Sequence, residues 1–210
     1  MKTVLCYGDS NTYGYNPSNG LRYPKEIRWT TILQNLLGEE YDVIPEGLNG
    51  RTTAYDRQDG AFKNGLTALP FILDTHRPLD YVIFMLGTND CNKDLKLSAD
   101  DIKIGMEKLI KETLYDMPIM QGYMPKIIIV VPAAIKDNYK NSPFSDQLDE
   151  DSIKKSRAIA PLYKELAYKY KLEYLNCLDE LEVSSIDSEH LTVDAHNKLA
   201  HLLKDKIYQL

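Results

Sequence analysis

Lys126-Ile127-Ile128-Ile129-Val130-Val131, closed by Pro132, places five branched apolar side chains in a row. Successive strand residues point to opposite faces of a sheet, so an unbroken apolar run buries both faces. That is the condition of a strand inside a parallel sheet. Outward from this segment, short apolar runs alternate with amphipathic ones, the pattern of stacked βα units. Thr3–Tyr7, Tyr41–Ile44, Tyr81–Leu86 and Glu173–Asn176 read as the other strands.

The stretches between them keep a helical period. Trp29, Ile32, Leu33, Leu36 and Leu37 form one apolar stripe, and Gly38 is placed to end that helix. A second helical stretch runs around Leu66–Leu73 and contains Pro70. Ser98 caps a third that buries Ile102, Met106, Leu109 and Ile110. A fourth turns Ile159, Leu162, Leu166 and Tyr170 inward, with a kink predicted at Pro161. The last starts after Thr192 and buries Ala195, Leu199, Leu202 and Ile207. These elements predict a three-layer α/β/α sandwich with a five-stranded parallel sheet, a single domain over residues 1–210.

Composition bounds the function. Apolar residues at 43% and charged residues at 27% exclude disordered and collagen-like chains. A net charge of −6 argues against nucleic acid or an anionic membrane surface as a partner, because both need a positive face. The longest apolar stretch, Ile127–Ile135, contains Pro132 and falls well short of the roughly 20 residues of a membrane span. The run after Lys2 meets Gly8-Asp9 too soon for a secretory leader. Cys6, Cys91 and Cys177 lie far apart with no C-x-x-C spacing, which fits buried thiols in a reducing, cytoplasmic setting. No H-E-x-x-H or cysteine-rich pattern calls for a metal, and no cofactor is expected. The 15 tyrosines against 4 phenylalanines suit half-wet places such as clefts.

In parallel α/β sheets ligands bind beyond the carboxyl ends of the strands. That rule selects Gly8–Ser10, Gly47–Thr53, Gly87–Asp90 and the loop after Asn176. Gly8 lets the chain turn off the first strand, presenting Ser10 near a helix start, where free backbone N–H groups favour negative charge. Ser10 there is either a nucleophile or a plain N-cap. A nucleophilic serine needs a base. His76 precedes Arg77-Pro78 at a helix end and reads as a cap, whereas His196 and His201 read as flank positions of the last helix. His190 lies in a loop, and Asp187 three residues earlier can fold back to its ring and fix the tautomer. Asn89 can reach over the strand ends with its amide or close its own turn, and Gly50 can offer an unencumbered N–H.

These residues together resemble the SGNH, or GDSL-type, esterases and lipases along the whole chain. The likeness runs through Gly8-Asp9-Ser10, Gly50, Gly87-Thr88-Asn89-Asp90 and Asp187-Ser188-Glu189-His190. It implies a flavodoxin-like sheet in the order 2-1-3-4-5, a Ser10–His190–Asp187 triad, and an oxyanion hole from the Ser10 and Gly50 N–H groups and the Asn89 side chain. Arg28-Trp29-Thr30, Glu46-Gly47-Leu48 with Arg51-Thr52-Thr53, and Met85-Leu86-Gly87-Thr88-Asn89-Asp90 are similar to the bacterial arylesterase/acyltransferase branch. That narrower likeness implies small acyl esters as substrates and a homo-oligomer. Asn11 departs from the leucine common in the family, and Tyr13 and Tyr15 from the branch's tryptophan. Asn11, Tyr15 and Thr88 are the residues expected to contact substrate, with Tyr13 beside them.

The expectation is thus a serine esterase that hydrolyses, or transfers, short acyl groups of small aryl or alkyl esters. A carbohydrate O-acetyl esterase is the alternative, and a carbohydrate-binding module without turnover a third reading. The loop from Pro132 to Glu150, with Phe144, walls the pocket, meets a neighbouring subunit or is a surface excursion.

Overall fold

Five parallel strands build one sheet in the order β2-β1-β3-β4-β5 in the computed structural model, which describes residues 1–210. They are β1 (Lys2–Gly8), β2 (Tyr41–Gly47), β3 (Tyr81–Met85), β4 (Lys126–Val131) and β5 (Glu173–Asn176). The helices are α1 (Ser10–Tyr13), α2 (Trp29–Leu37), α3 (Gly65–His76), α4 (Ala99–Gln121), α5 (Glu150–Tyr170) and α6 (Val193–Tyr208). The expected sandwich and strand order are both present.

The apolar run in β4 is buried on both faces, as its lack of alternation predicts. Ile127, Ile129 and Val131 join Leu5, Tyr7, Val82 and Phe84 beneath α3, α4 and α5. Ile128 and Val130 join Val4, Cys6 and Ile83 beneath α2 and α6. No helix is long and apolar enough to cross a membrane.

Two helix faces differ from the sequence reading by one position. On α5 Tyr163 is fully buried and Leu162 only half-buried, because the Tyr163 hydroxyl finds the Leu86 carbonyl at 3.1 Å. That bond satisfies the phenol and lets the ring fill the core. α5 runs as one element through Pro161, which is exposed. On α6 Leu203, not Leu202, is fully buried. A 3.6-residue period from Leu199 falls between the two positions, and packing against α2 decides.

β1 lies between β2 and β3, so the loops after these three strands open side by side at one edge. Gly8 ends β1 where a Cβ would sit 2.1 Å from Thr12 Oγ1 and 2.9 Å from the Met85 carbonyl oxygen. Only glycine lets the chain fold back this tightly and start α1 directly on the strand end.

Candidate active site

Asp9 takes the capping role that the sequence left open for Ser10. Its Oδ1 accepts the Asn11 N–H at 2.9 Å, and Ser10 becomes the first residue of α1, freed from capping. Ser10 is 7% exposed, and no protein acceptor takes its N–H. Burial pushes the Asp9 carboxyl up to about 6.

His190 bridges Ser10 and Asp187. Its Nε2 lies 2.7 Å from Ser10 Oγ and its Nδ1 2.8 Å from Asp187 Oδ2. Asp187 is fully buried, and its Oδ1 also accepts the backbone N–H groups of His190 at 3.1 Å and Glu189 at 3.3 Å. The turn between them requires φ +70° at Ser188, a left-handed conformation in a residue with a Cβ. Burial alone would lower the His190 pKa, but the Asp187 hydrogen bond and the charges of Glu189, Asp187 and Asp9 outweigh it and raise it. Asp187 is held below the ordinary carboxylate range, since the His190 contacts overcome its own burial. A base so oriented can take a proton from Ser10 Oγ and return it to a leaving group.

Gly50 and Asn89 meet Ser10 and His190 around one cavity of about 220 Å³. Gly50 has φ +80°, and its N–H, like that of Ser10, has no protein acceptor. Asn89 Nδ2 donates to Asp9 Oδ2 at 3.4 Å, so the cap of α1 also aims this amide. Buried groups hold the two loops together. The Thr53 N–H lies 3.0 Å from both oxygens of Asp90, whose carboxyl burial pushes up to about 6. Arg51 donates to the carbonyls of Gly8, at 2.9 Å, and of Glu46, and lies over the Tyr7 ring.

Tyr15 and Phe144 are the apolar walls, with ring centroids 4.2 and 5.7 Å from that of His190. The 132–150 loop therefore does wall the cavity. The rest of the lining is polar and was not legible in advance: Asn49, Arg57, Asp59, Lys63, Gln147 and Glu189. Arg57 Nε pairs with Asp59 at 2.9 Å, and Lys63 pairs with the same carboxylate. Asn49 and Gln147 lie in loops the sequence singled out, and Glu189 lies inside the Asp187–His190 motif, but the sequence marks none of them as a lining residue. The Glu189 side chain is 17% exposed, its carboxylate 4.0 Å from His190 Nδ1, and burial pushes it up to about 7.

Several expectations are corrected. Asn11 does not line the cavity. Its Nδ2 donates to the Glu189 carbonyl at 3.2 Å and its Oδ1 accepts the Leu191 N–H at 2.9 Å, so the amide is spent clamping α1 to the His190 loop. Thr88 is buried outside the cavity with an unpartnered Oγ1. Tyr13 points away, its ring under the Arg22 guanidinium at 4.3 Å. His76 pairs with Glu46 at 2.8 Å instead of capping its helix. His196 is not a flank residue but fully buried, its Nδ1 3.4 Å from the Trp29 N–H and its ring edge-on to Tyr23. His201 is exposed, as expected. No group of three or more His, Cys, Asp or Glu side chains is arranged to hold a metal ion.

Comparison with known proteins identifies the family and the fold. The model of the GDSL-like lipase/acylhydrolase family matches residues 6–204. A carbohydrate acetylesterase from Sinorhizobium meliloti is 36% identical, with 100% of this chain and 99% of that one covered and a TM-score of 0.92. The native aryl esterase of M. smegmatis is 32% identical, with 100% of both chains covered and a TM-score of 0.93. No match was found among curated proteins. The chain belongs to the GDSL-like lipase/acylhydrolase family and is a carboxylic ester hydrolase.

Proposed function

We propose that the protein is a serine esterase that removes short acyl groups from small esters through an acyl-enzyme. The observation that carries this reading is the His190 ring between Ser10 Oγ, at 2.7 Å, and Asp187, at 2.8 Å. In this reading His190 Nε2 accepts the Ser10 hydroxyl proton as Oγ attacks the ester carbonyl carbon. The oxyanion that forms accepts hydrogen bonds from the Ser10 and Gly50 N–H groups and from Asn89 Nδ2. Collapse breaks the bond to the alcohol, which leaves with the proton from His190. Water then attacks the acyl-enzyme with His190 again as base, freeing the acid and Ser10.

The substrates proposed are small aryl and alkyl acyl esters, with an alcohol able to replace water as acceptor. A second reading, an O-acetylated carbohydrate, is supported by the lining, in which only Tyr15 and Phe144 of twelve residues are hydrophobic. Three free, buried cysteines support a reducing compartment, and a homo-oligomer belongs to the same proposal. The test is p-nitrophenyl acetate turnover by wild type and Ser10→Ala, with mass-spectrometric location of a fluorophosphonate label. Loss of turnover and labelling at Ser10 are expected; full activity in the variant overturns the assignment.

A further inference from the structure

The cavity at Ser10 does not end at its own wall. Arg57, Asp59 and Gln147 line it and also line a second cavity of about 320 Å³. Gln58, Asn92, Asp94 and Leu95 complete that second space. The shared wall is a polar sill: Gln147 Oε1 accepts from Asn92 Nδ2 at 3.0 Å and from Arg57 Nη2 at 3.4 Å. The two spaces therefore adjoin across this shared polar wall of Arg57, Asp59 and Gln147.

We propose that this second cavity is a subsite for the alcohol part of the substrate, and that it takes a polyhydroxylated extension such as a further sugar unit. The inference rests on the esterase reading and deepens it. Leu95 is the only hydrophobic residue of the seven, so a hydrocarbon acyl chain there would strip water from the exposed Gln58, Asp59 and Asp94 side chains without replacing its hydrogen bonds. Side-chain amides and carboxylates instead offer adjacent donors and acceptors, the match for neighbouring hydroxyls. The Asp94 carboxylate and the Gln58 amide make no hydrogen bond within the protein; Asp94 engages only through its backbone N–H, to Asn92 Oδ1 at 2.9 Å. Arg57 and Lys63 are both paired with Asp59, and Asp94 is unpaired, so no free cation faces an anionic extension.

The experiment compares wild type with the double variant Gln58→Ala/Asp94→Ala. Both side chains lie outside the cavity at Ser10. The substrates are p-nitrophenyl acetate, p-nitrophenyl octanoate, an acetylated methyl xyloside and acetylated xylotriose. Wild-type kcat/KM for the trisaccharide is expected to exceed that for the xyloside by about ten-fold, carried by KM, and the double variant should erase the difference. Turnover of p-nitrophenyl acetate should be unchanged, and the octanoate should gain nothing. A trisaccharide no better than the xyloside, or an advantage that survives the double variant, overturns the subsite. An octanoate gain that the variant removes assigns the cavity to acyl chains and overturns it too. Absence of p-nitrophenyl acetate turnover by wild type defeats the esterase reading itself, which keeps the two failures apart.

Discussion

Asp187 grips His190 at two points: Oδ2 meets the ring Nδ1 at 2.8 Å, and Oδ1 accepts the backbone N–H of the same residue at 3.1 Å. One carboxylate thereby sets both the turn and the tautomer. Asp187→Asn keeps an acceptor for the backbone but can present an N–H to Nδ1, favouring the wrong tautomer. We expect kcat for p-nitrophenyl acetate to fall on the order of 10⁴-fold with circular dichroism unchanged. A rate within ten-fold of wild type would reduce Asp187 to a turn residue.

Asn89 is the one side-chain donor in the proposed oxyanion hole. Asn89→Ala should lower kcat by about 10²–10³-fold and leave KM close to wild type, because the interaction forms with the oxyanion. A loss confined to KM would move Asn89 from oxyanion stabilisation to substrate binding.

Glu189 lies 4.0 Å from His190 Nδ1, and its negative charge raises the His190 pKa. The imidazole must be neutral to act as a base. Glu189→Gln removes that charge, so the acid limb of the pH–kcat/KM profile should move to lower pH. An unmoved limb or a shift to higher pH contradicts this electrostatic coupling.

His196 is fully buried, and burial lowers its pKa to about 4 from the ordinary 6.5. Between those values the unfolded chain binds a proton that the native state refuses, so this residue costs stability as pH falls through that window. The full cost is about 3 kcal/mol. The raised carboxyls of Asp9 and Asp90 act in the opposite sense, the native state holding protons that the unfolded chain has released. Subtraction isolates His196: urea unfolding at pH 7 and pH 4 should show a smaller acid loss, or a larger acid gain, in His196→Asn than in wild type. Identical pH dependence in the two proteins would rule the residue out.

Ser188 holds φ +70°, and its buried hydroxyl has no partner. Glycine adopts that conformation without the Cβ penalty. Ser188→Gly should raise unfolding free energy by roughly 1 kcal/mol and preserve turnover. A destabilised variant would mean that the Ser188 side chain contributes packing that outweighs the strain.

What local sequence encodes was readable. The β4 run reported burial on both faces, and Gly38 and Ser98 marked helix ends where the structure has them. Asp187 and His190 were legible as a pair because only one turn separates them. The buried side of a helix was less so: the choices of Tyr163 over Leu162 and Leu203 over Leu202 depend on the element packed above, not on the period.

The amino-acid sequence by itself determined the strand–helix alternation, the residue at each strand end and the short His190 turn, since all depend on interactions within a few residues. Only the tertiary structure decided which of those ends meet. The Ser10–His190 contact joins residues 180 positions apart, and it exists because β1 lies inside the sheet and Asn11 clamps α1 to the His190 loop. The same folding took Asn11 and Thr88 out of the cavity, buried His196 and brought Arg57, Gln147 and Glu189 to its rim. Local pattern does not say which side chains share a cavity, because that is fixed by strand order and loop packing.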